Sequence, residues 1–451
     1  MNTRSWLKRA PAAVFNFVVV WVGFFSQILA SPAFCGASYR ELAGARQTMY
    51  QHGVPHTDRN GHLQTATGGA SFFPRCAYET LPGMLDELRR AGFNCFKPWN
   101  GMNVDAALAE AGSSGMQLVK EWAGSSCGDC IVKQTSAAAG DDRILGWIIE
   151  DEPTGCINEF STCLTRISAY RELLGKLHRL DPYHPVFALD IPLPGPGALA
   201  MWSEVNGSGN IAAIDSYPFH AGGSATLESS AENYKHLVEL NAEQKPLWIT
   251  VQAFAMPTSA AGAWIMPRPQ QLRAEVFAAL VHGATGIFYF AIDSWAARNA
   301  QVIGIAASPS PSYPADQPED AVATPTQLAA SRALWDQAVR LNNELARLQP
   351  IIFSDTALLP YRVAVRGRAR TAVPIRAMLK TLPDGSHCLL VVNIEDAPFD
   401  VLITFKSQPQ NVRRVDEHGD AHVLETKAGG INDKIDGYGV RIYTFRCSRC
   451  R

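Results

Sequence analysis

From about residue 68 to residue 349 the chain alternates short apolar runs with longer amphipathic stretches, and few folds accommodate that alternation. An apolar run followed by a helical period reads as a strand with its crossover helix, and a succession of such units builds a parallel sheet. Eight runs qualify: Ser71–Phe73, Phe93–Trp99, Gln117–Trp122, Ile144–Glu150, Pro185–Asp190, Ile211–Tyr217, Leu247–Phe254 and Gly286–Ile292. Helical stretches lie at Leu81–Ala91, Leu164–Leu180, Leu227–Leu240 and Pro269–His282, with Gln327–Leu348 closing the series. Eight units over this length predict an α/β fold, a (β/α)8 TIM barrel over residues 68–349. An open doubly wound sheet is the competing arrangement, but no glycine-rich phosphate loop follows the first strand.

The flanks differ. Beyond Pro350, runs such as Cys388–Asn393, Asp400–Phe405 and Val440–Phe445, joined by turns such as Pro383-Asp384-Gly385, predict a small all-β sandwich domain over 350–451. Arg4, Lys8 and Arg9 precede an apolar run from Ala12 to Ala30, so residues 1–30 read as a signal peptide, or as a membrane anchor if left uncleaved. Export would place the protein in the periplasm, at the cell surface or outside the cell. Residues 31–67 form a polar N-terminal extension expected across the bottom or side of the barrel. In an oxidising compartment the Cys127/Cys130 pair with Cys156 and Cys163 read as crosslinks, with a four-thiol zinc site as the alternative; the Cys447/Cys450 pair reads as another crosslink and Cys95 as a plain core residue. The 306–326 segment, rich in Pro, Ser and Ala, reads as a loop over the active site.

Function in a TIM barrel sits where the strands end. Reading those ends gives Trp99 and Asn100, Glu121 and Trp122, Asp151 and Glu152, Asp190, Asp215 and Tyr217, Gln252, and Asp293 and Trp295. Carboxylates can protonate a leaving oxygen and assist attack at an anomeric carbon, and aromatic faces stack on sugars. Trp264 joins the candidate platforms. Three consecutive acids at the end of an apolar strand, Glu150-Asp151-Glu152, are costly unless paired or reactive. Glu150 is expected to pair with Lys97 or Lys120, Trp147 to lie in the core and Asp190 to cap a loop. Strand alternation places Glu150 and Glu152 on one side and Asp151 on the other. A net charge of -2 and the lack of a basic stripe exclude a nucleic-acid partner. His220 and His282 stand alone, no residue set has metal-ligand spacing, and no cofactor is implied.

The order of these segments resembles the clan A glycoside hydrolase barrels. Gly146-Trp147 followed by Asp151-Glu152-Pro153 is similar to that clan's strand-4 motif, where Asn-Glu-Pro follows a Trp. Ala91-Gly92-Phe93-Asn94, Asp215-Ser216-Tyr217-Pro218, Lys245-Pro246-Leu247-Trp248 and His282-Gly283-Ala284-Thr285-Gly286 also resemble such barrels. The resemblance implies a carbohydrate substrate with Glu152 as general acid/base; Asp151 is read as its closest helper, Asp215 as a candidate second catalytic carboxylate, and Tyr217, Asn100 and Gln252 as bonding the sugar. Two positions depart from it. Asp151 replaces the usual Asn, and Gln252 stands where strand 7 usually carries the nucleophilic Glu.

Three readings follow from Gln252. The adjacent Asp151 and Glu152 resemble the pair of substrate-assisted hexosaminidases, in which the substrate's acetamido group attacks. Another carboxylate, Asp215, Glu121 or Asp293, could supply the nucleophile or base. Or the barrel binds glycans without cleaving them.

Overall fold

The computed structural model describes residues 57–447, except 65–69, 82, 100–101, 123–127, 155–159, 192–195, 224–225, 242–244, 258–262, 298–299, 307–322, 369–372 and 427–429. The export segment, Asn100, Cys127, Cys156, Cys450 and most of the 306–326 segment lie outside the described residues, as do the side chains of Cys130 and Cys163.

Eight parallel strands form a nearly closed barrel: β1 (Arg75–Thr80), β2 (Cys95–Pro98), β3 (Gln117–Glu121), β4 (Ile144–Asp151), β5 (Val186–Leu189), β6 (Ala212–Asp215), β7 (Leu247–Gln252) and β8 (Gly286–Phe290). Their order in space is β5-β4-β3-β2-β1-β8-β7-β6. The seam between β5 and β6 is joined by the bridge Asp190–Ile214 and by Asn210 N donating to Val186 O at 2.9 Å. Eight helices follow the strands in turn: α1 (Leu85–Arg90), α2 (Val104–Ser114), α3 (Gly128–Ala137), α4 (Phe160–Leu180), α5 (Pro196–Ser208), α6 (Leu227–Leu240), α7 (Pro269–Val281) and α8 (Pro325–Ile352).

Local chemistry sets the helix ends. Asn103 accepts from Asp105 N to start α2, and Gly115 closes it at φ 70°, a conformation open to glycine. Thr324 and Gln327 form a reciprocal cap on α8, with Pro325 in its first turn. That helix runs through Pro350, which the sequence pattern read as a break, because a proline in the last turn removes only one backbone donor.

The first strand also differs from expectation. Ser71–Phe72 pairs antiparallel with Leu63–Gln64, and the barrel strand begins only after Pro74. Arg75–Thr80 carries Arg75 and Glu79, so it lacks the apolar signature of its neighbours. Leu63 and Phe72 pack on the barrel-interior cluster of Cys76, Cys95, Val119, Leu145, Phe187 and Trp248, so this hairpin closes the bottom.

Cys95 is not a plain core residue. It is bonded to Cys76 on the adjacent strand, with the Cα atoms 4.5 Å apart and both residues fully buried. The two strands pair in register at these cysteines, which is what brings the thiols together. Cys447 is also disulfide-bonded.

The C-terminal region is all antiparallel: a six-stranded sheet and a three-stranded sheet enclose a core of Leu379, Leu389, Val391, Ile403, Ile431 and Tyr443. Strand His387–Asn393 is buried along its whole length. Leu389 and Val391 face that core, whereas Cys388, Leu390 and Val392 belong to the barrel's helix layer. Helix α7 lies between, with every residue from Ala274 to Leu280 buried.

Closing a 19-residue separation by a crosslink stabilises a fold by about 3 kcal/mol through the unfolded chain. Cys95→Ala is therefore expected to lower the unfolding free energy in urea by a comparable amount, and reductant is expected to destabilise the wild type more than the variant, which lacks the Cys76–Cys95 bond.

Candidate functional site

Alternate residues of a strand share a face, so β2 places Lys97 in the interior layer above Cys95. Its fully buried ammonium bridges Glu79 at the end of β1 and Glu121 at the end of β3. Tyr78 Oη donates to the same Glu121 oxygen at 3.0 Å, and the ammonium sits 4.4 Å from the Tyr78 ring centre. Burial alone would depress the Lys97 pKa, but the Glu121 and Glu79 charges outweigh it and hold it above the ordinary value. Lys97 thereby ties the ends of three strands together. Burial and the neighbouring Lys97 charge push Lys120 down to about 8.

β4 is not a regular strand. Its register slips against β3 between Leu118 and Val119, and against β5 between Ile148 and Glu150. Such slips re-aim the side chains that follow. Glu152 then adopts φ 48°, a left-handed conformation uncommon for a residue with a side chain, while its N–H donates to Leu189 O at 2.8 Å. Past these irregularities the charges of Asp151 and Glu152 act on each other and on Asp215. Burial, then the Glu121 and Glu152 charges, push Asp151 up to about 8 against the pull of Lys97. Glu79 shares the left-handed conformation at φ 57°, and burial raises its pKa.

Asp215 completes the group. It lies two residues beyond Ala213, which lines the barrel interior, and is 4% exposed. Burial, then the charges of Glu152 and Asp151, hold its pKa well above the carboxylate range, although Tyr217 donates a hydrogen bond to it. Its Oδ1 has no hydrogen-bond partner among the described residues.

Asp190 serves the loop. Its Oδ1 accepts from Thr154 N at 3.2 Å, Thr154 Oγ1 at 2.8 Å and Ile191 N at 3.1 Å, fixing the turn that follows Glu152. Burial lifts its pKa to about 7 against those bonds.

Gln252 is fully buried and its amide is committed to the backbone. Oε1 accepts from Phe219 N at 2.8 Å, while Nε2 donates to Phe219 O at 3.2 Å, Ile265 O at 2.9 Å and Phe254 O at 3.4 Å. The expectation that it bonds sugar gives way to a fastener joining the loops after β6 and β7. A carboxylate could not donate to those carbonyls, so the amide is required by its surroundings. Gln252 N donates in turn to Glu275 Oε1 of α7 at 3.0 Å.

Tyr217, Phe254, Trp264, Phe290 and Trp295 form an aromatic wall beside the acids. Tyr217 stacks on Phe290 at 5.7 Å and 23°, and Trp295 meets Phe290 edge-on at 5.9 Å. All but Phe254 are half-buried. The other tryptophans point elsewhere. Trp122 is 7% exposed and stacks at 5.9 Å on Trp147, whose Nε1 donates to Asp181 at 2.7 Å. That places both in the core, and half-buried Trp99 packs against the same core. Asp293 is buried, with its N–H 3.3 Å from Glu79 O. Among the described residues no cluster of three or more His, Cys, Asp or Glu could hold a metal ion.

No family model matches the chain, and no curated protein matches it in sequence. Solved structures are similar in fold. A catalytic mutant of Gan42B, a GH42 β-galactosidase from G. stearothermophilus, has a TM-score of 0.50 at 8% identity, covering 86% of this chain and 100% of that one. An α-amylase from Geobacillus thermoleovorans, complexed with acarbose, has a TM-score of 0.47 at 10% identity over 81% and 91% of the two chains. A GH2 β-galacturonidase from Eisenbergiella tayi is 16% identical with a TM-score of 0.37, and the chain spans 45% of its length while half of this one is covered. The fold is thus one that glycoside hydrolases also use.

A buried acid with a raised pKa keeps its proton when folded. The stability this gives is fully present below the unfolded value near 4 and is lost as pH rises through the folded value. Asp190→Asn keeps the acceptor and removes the titration. Its urea-derived stability relative to wild type is expected to climb between about pH 4 and pH 7. Parallel curves would show that Asp190 is ionised when folded.

Proposed function

We propose that the protein is a glycoside hydrolase that cleaves O-glycosidic bonds of an oligo- or polysaccharide by carboxylate acid/base catalysis. The observation that carries this reading is the convergence of Asp151, Glu152 and Asp215 beside an aromatic wall at the mouth of a barrel. The strand-4 resemblance and the similarity in fold support it. Glu152 protonates the leaving oxygen. Asp215, steadied by the Tyr217 hydroxyl, serves as the second carboxylate, either attacking the anomeric carbon or drawing a proton from water. Asp151, held neutral by burial, assists Glu152 as a hydrogen-bonding group beside it. Tyr217, Phe290 and Trp295 present ring faces to the sugar. Glu121 acts through Lys97, holding the carboxylate layer together. Export, and action outside the cytoplasm, belong to the same proposal and accord with the N-terminal apolar run and the oxidised Cys76–Cys95 pair.

The adjacency of Asp151 and Glu152 favours one second reading, in which the substrate's own acetamido group attacks and Asp151 orients it. A panel of aryl glycosides, N-acetylhexosaminides included, tests both. Glu152→Gln is expected to lower kcat by about 10²–10⁴-fold on substrates with poor leaving groups. Undiminished activity in that variant would remove Glu152 from the mechanism, and activity confined to acetamido sugars would select the second reading.

A further inference from the structure

The C-terminal sheets meet the barrel at a second place besides the apolar layer on α7. Barrel helices run back from the mouth, so the start of α7 stands at the mouth end. The turn between strands Gly430–Ile435 and Val440–Cys447 lies against that start and carries Tyr438. The guanidinium of Arg268, the N-cap residue of α7, is 5.7 Å from the centre of the Tyr438 ring, and the Gln271 side chain hydrogen-bonds the Tyr438 hydroxyl. Arg268 also pairs with Asp396, in a neighbouring turn of the sheets, at 2.7 Å. Beyond Arg268 the Tyr438 ring meets Phe219 edge to face, with centroids 6.1 Å apart and planes at 84°, the geometry aromatic pairs favour.

Tyr438 is held there against its backbone preference. Its φ is 53°, a left-handed conformation that a bulky residue rarely adopts, although Gly437 and Gly439 flank it. The surroundings enforce it. The fully buried Asn393 donates from its amide to Asp436 O at 2.9 Å and to Ala397 O at 2.7 Å. Tyr438 N donates to Glu395 O at 2.8 Å. A Cβ on Gly437 would fall 2.2 Å from Asp396 O, so the turn is packed too closely to relax. Backbone strain that its surroundings over-determine recurs where the side chain has a task.

Phe219 indicates the task. It is 4% exposed and lies two residues past Tyr217 and four past Asp215. Its N–H and C=O are the groups that Gln252 clasps, and its carbonyl also accepts from Ile265 N at 3.0 Å. Gln252 thus fastens the backbone of the loop, while Tyr438 braces the ring.

We propose that Tyr438 is a positioning residue for the mouth: the C-terminal sheets hold its ring against Phe219 and so fix the loop that presents Asp215 and Tyr217. This rests on the glycoside hydrolase reading and adds the C-terminal region to what sets the rate. Tyr438 acts through Phe219 and Gln252. A misplacement of about 1 Å at a catalytic group can cost about 10²-fold in rate, so a loosened brace shows in kcat.

Two variants of the full chain test it. Tyr438→Gly removes the ring together with the backbone strain, whereas Tyr438→Phe keeps the ring and loses only the bond to Gln271. Hydrogen exchange followed by mass spectrometry reads the loop directly. In Tyr438→Gly, residues 215–223 and 263–266 are expected to exchange about tenfold faster while β4 keeps its wild-type protection. Tyr438→Phe is expected to match the wild type. Kinetics follow on the aryl glycoside that the wild type cleaves best. Tyr438→Gly is expected to lower kcat about tenfold or more with KM within about twofold, and Tyr438→Phe to stay within about twofold in both. Unchanged loop exchange in Tyr438→Gly, acceleration spread over the whole chain, or a loss in Tyr438→Phe as large as in Tyr438→Gly would overturn the inference. So would a loosened loop with undiminished kcat, which leaves the hydrolase reading intact. A wild type that cleaves no glycoside sinks the hydrolase reading instead, and exchange alone then decides the brace.

Discussion

A single ammonium, that of Lys97, makes the top of this barrel possible. Carboxylates cannot crowd a low-dielectric interior unless something compensates them, and removing one member of such a buried arrangement costs about 3–5 kcal/mol. Lys97 reaches Glu79 on one side and Glu121 on the other, so β1, β2 and β3 end in one electrostatic unit. Tyr78 closes the unit from below through its bond to Glu121. With Glu79 and Glu121 held by Lys97, the charges of Asp151, Glu152 and Asp215 act on one another beyond the clamp. The clamp therefore decides which carboxylates are structural.

The strand ends divide their duties accordingly. On β7, Gln252 is sealed among backbone groups and ties two loops together. Negative charge gathers instead at the ends of β4 and β6. Asp190, on β5 between them, spends its carboxyl on the turn after Glu152 and so keeps the left-handed kink of that residue in place. The turn that carries Glu152 thus depends on the Asp190 carboxyl.

Much of this was legible in the chain. The alternation of apolar runs with helical periods read out seven of the eight barrel strands at close to their observed places, because a strand buried on both faces must be apolar throughout. The eighth, Arg75–Thr80, was hidden by its polar ends, and with it went Glu79, which appears as a mouth residue only once the strand is placed after Pro74. The acids at Asp151, Glu152 and Asp215 were visible as strand ends. How Asp151 and Glu152 come to act together on Asp215 was not, since the register slips of β4 against β3 and β5 arise from pairing with distant residues. The same holds for Cys95, whose partner is set by strand register and not by spacing, and for Trp122, whose stacking on Trp147 depends on how β3 and β4 lie together. Gln252 could be identified as anomalous from its position, but the carbonyls that demand an amide there come from three separate segments.

Helix α7 carries a last consequence. It is apolar on nearly every side because the barrel covers one face and strand His387–Asn393, with its Cys388, Leu390 and Val392 side chains, covers another. Barrels with appended sheets are often pictured as interchangeable parts joined by a hinge. Here the boundary runs through a shared hydrophobic layer, so an exchange of the C-terminal sheets between related chains would succeed only if the outward face of α7 travelled with them. The two regions are therefore expected to diversify in step, as a single inherited unit.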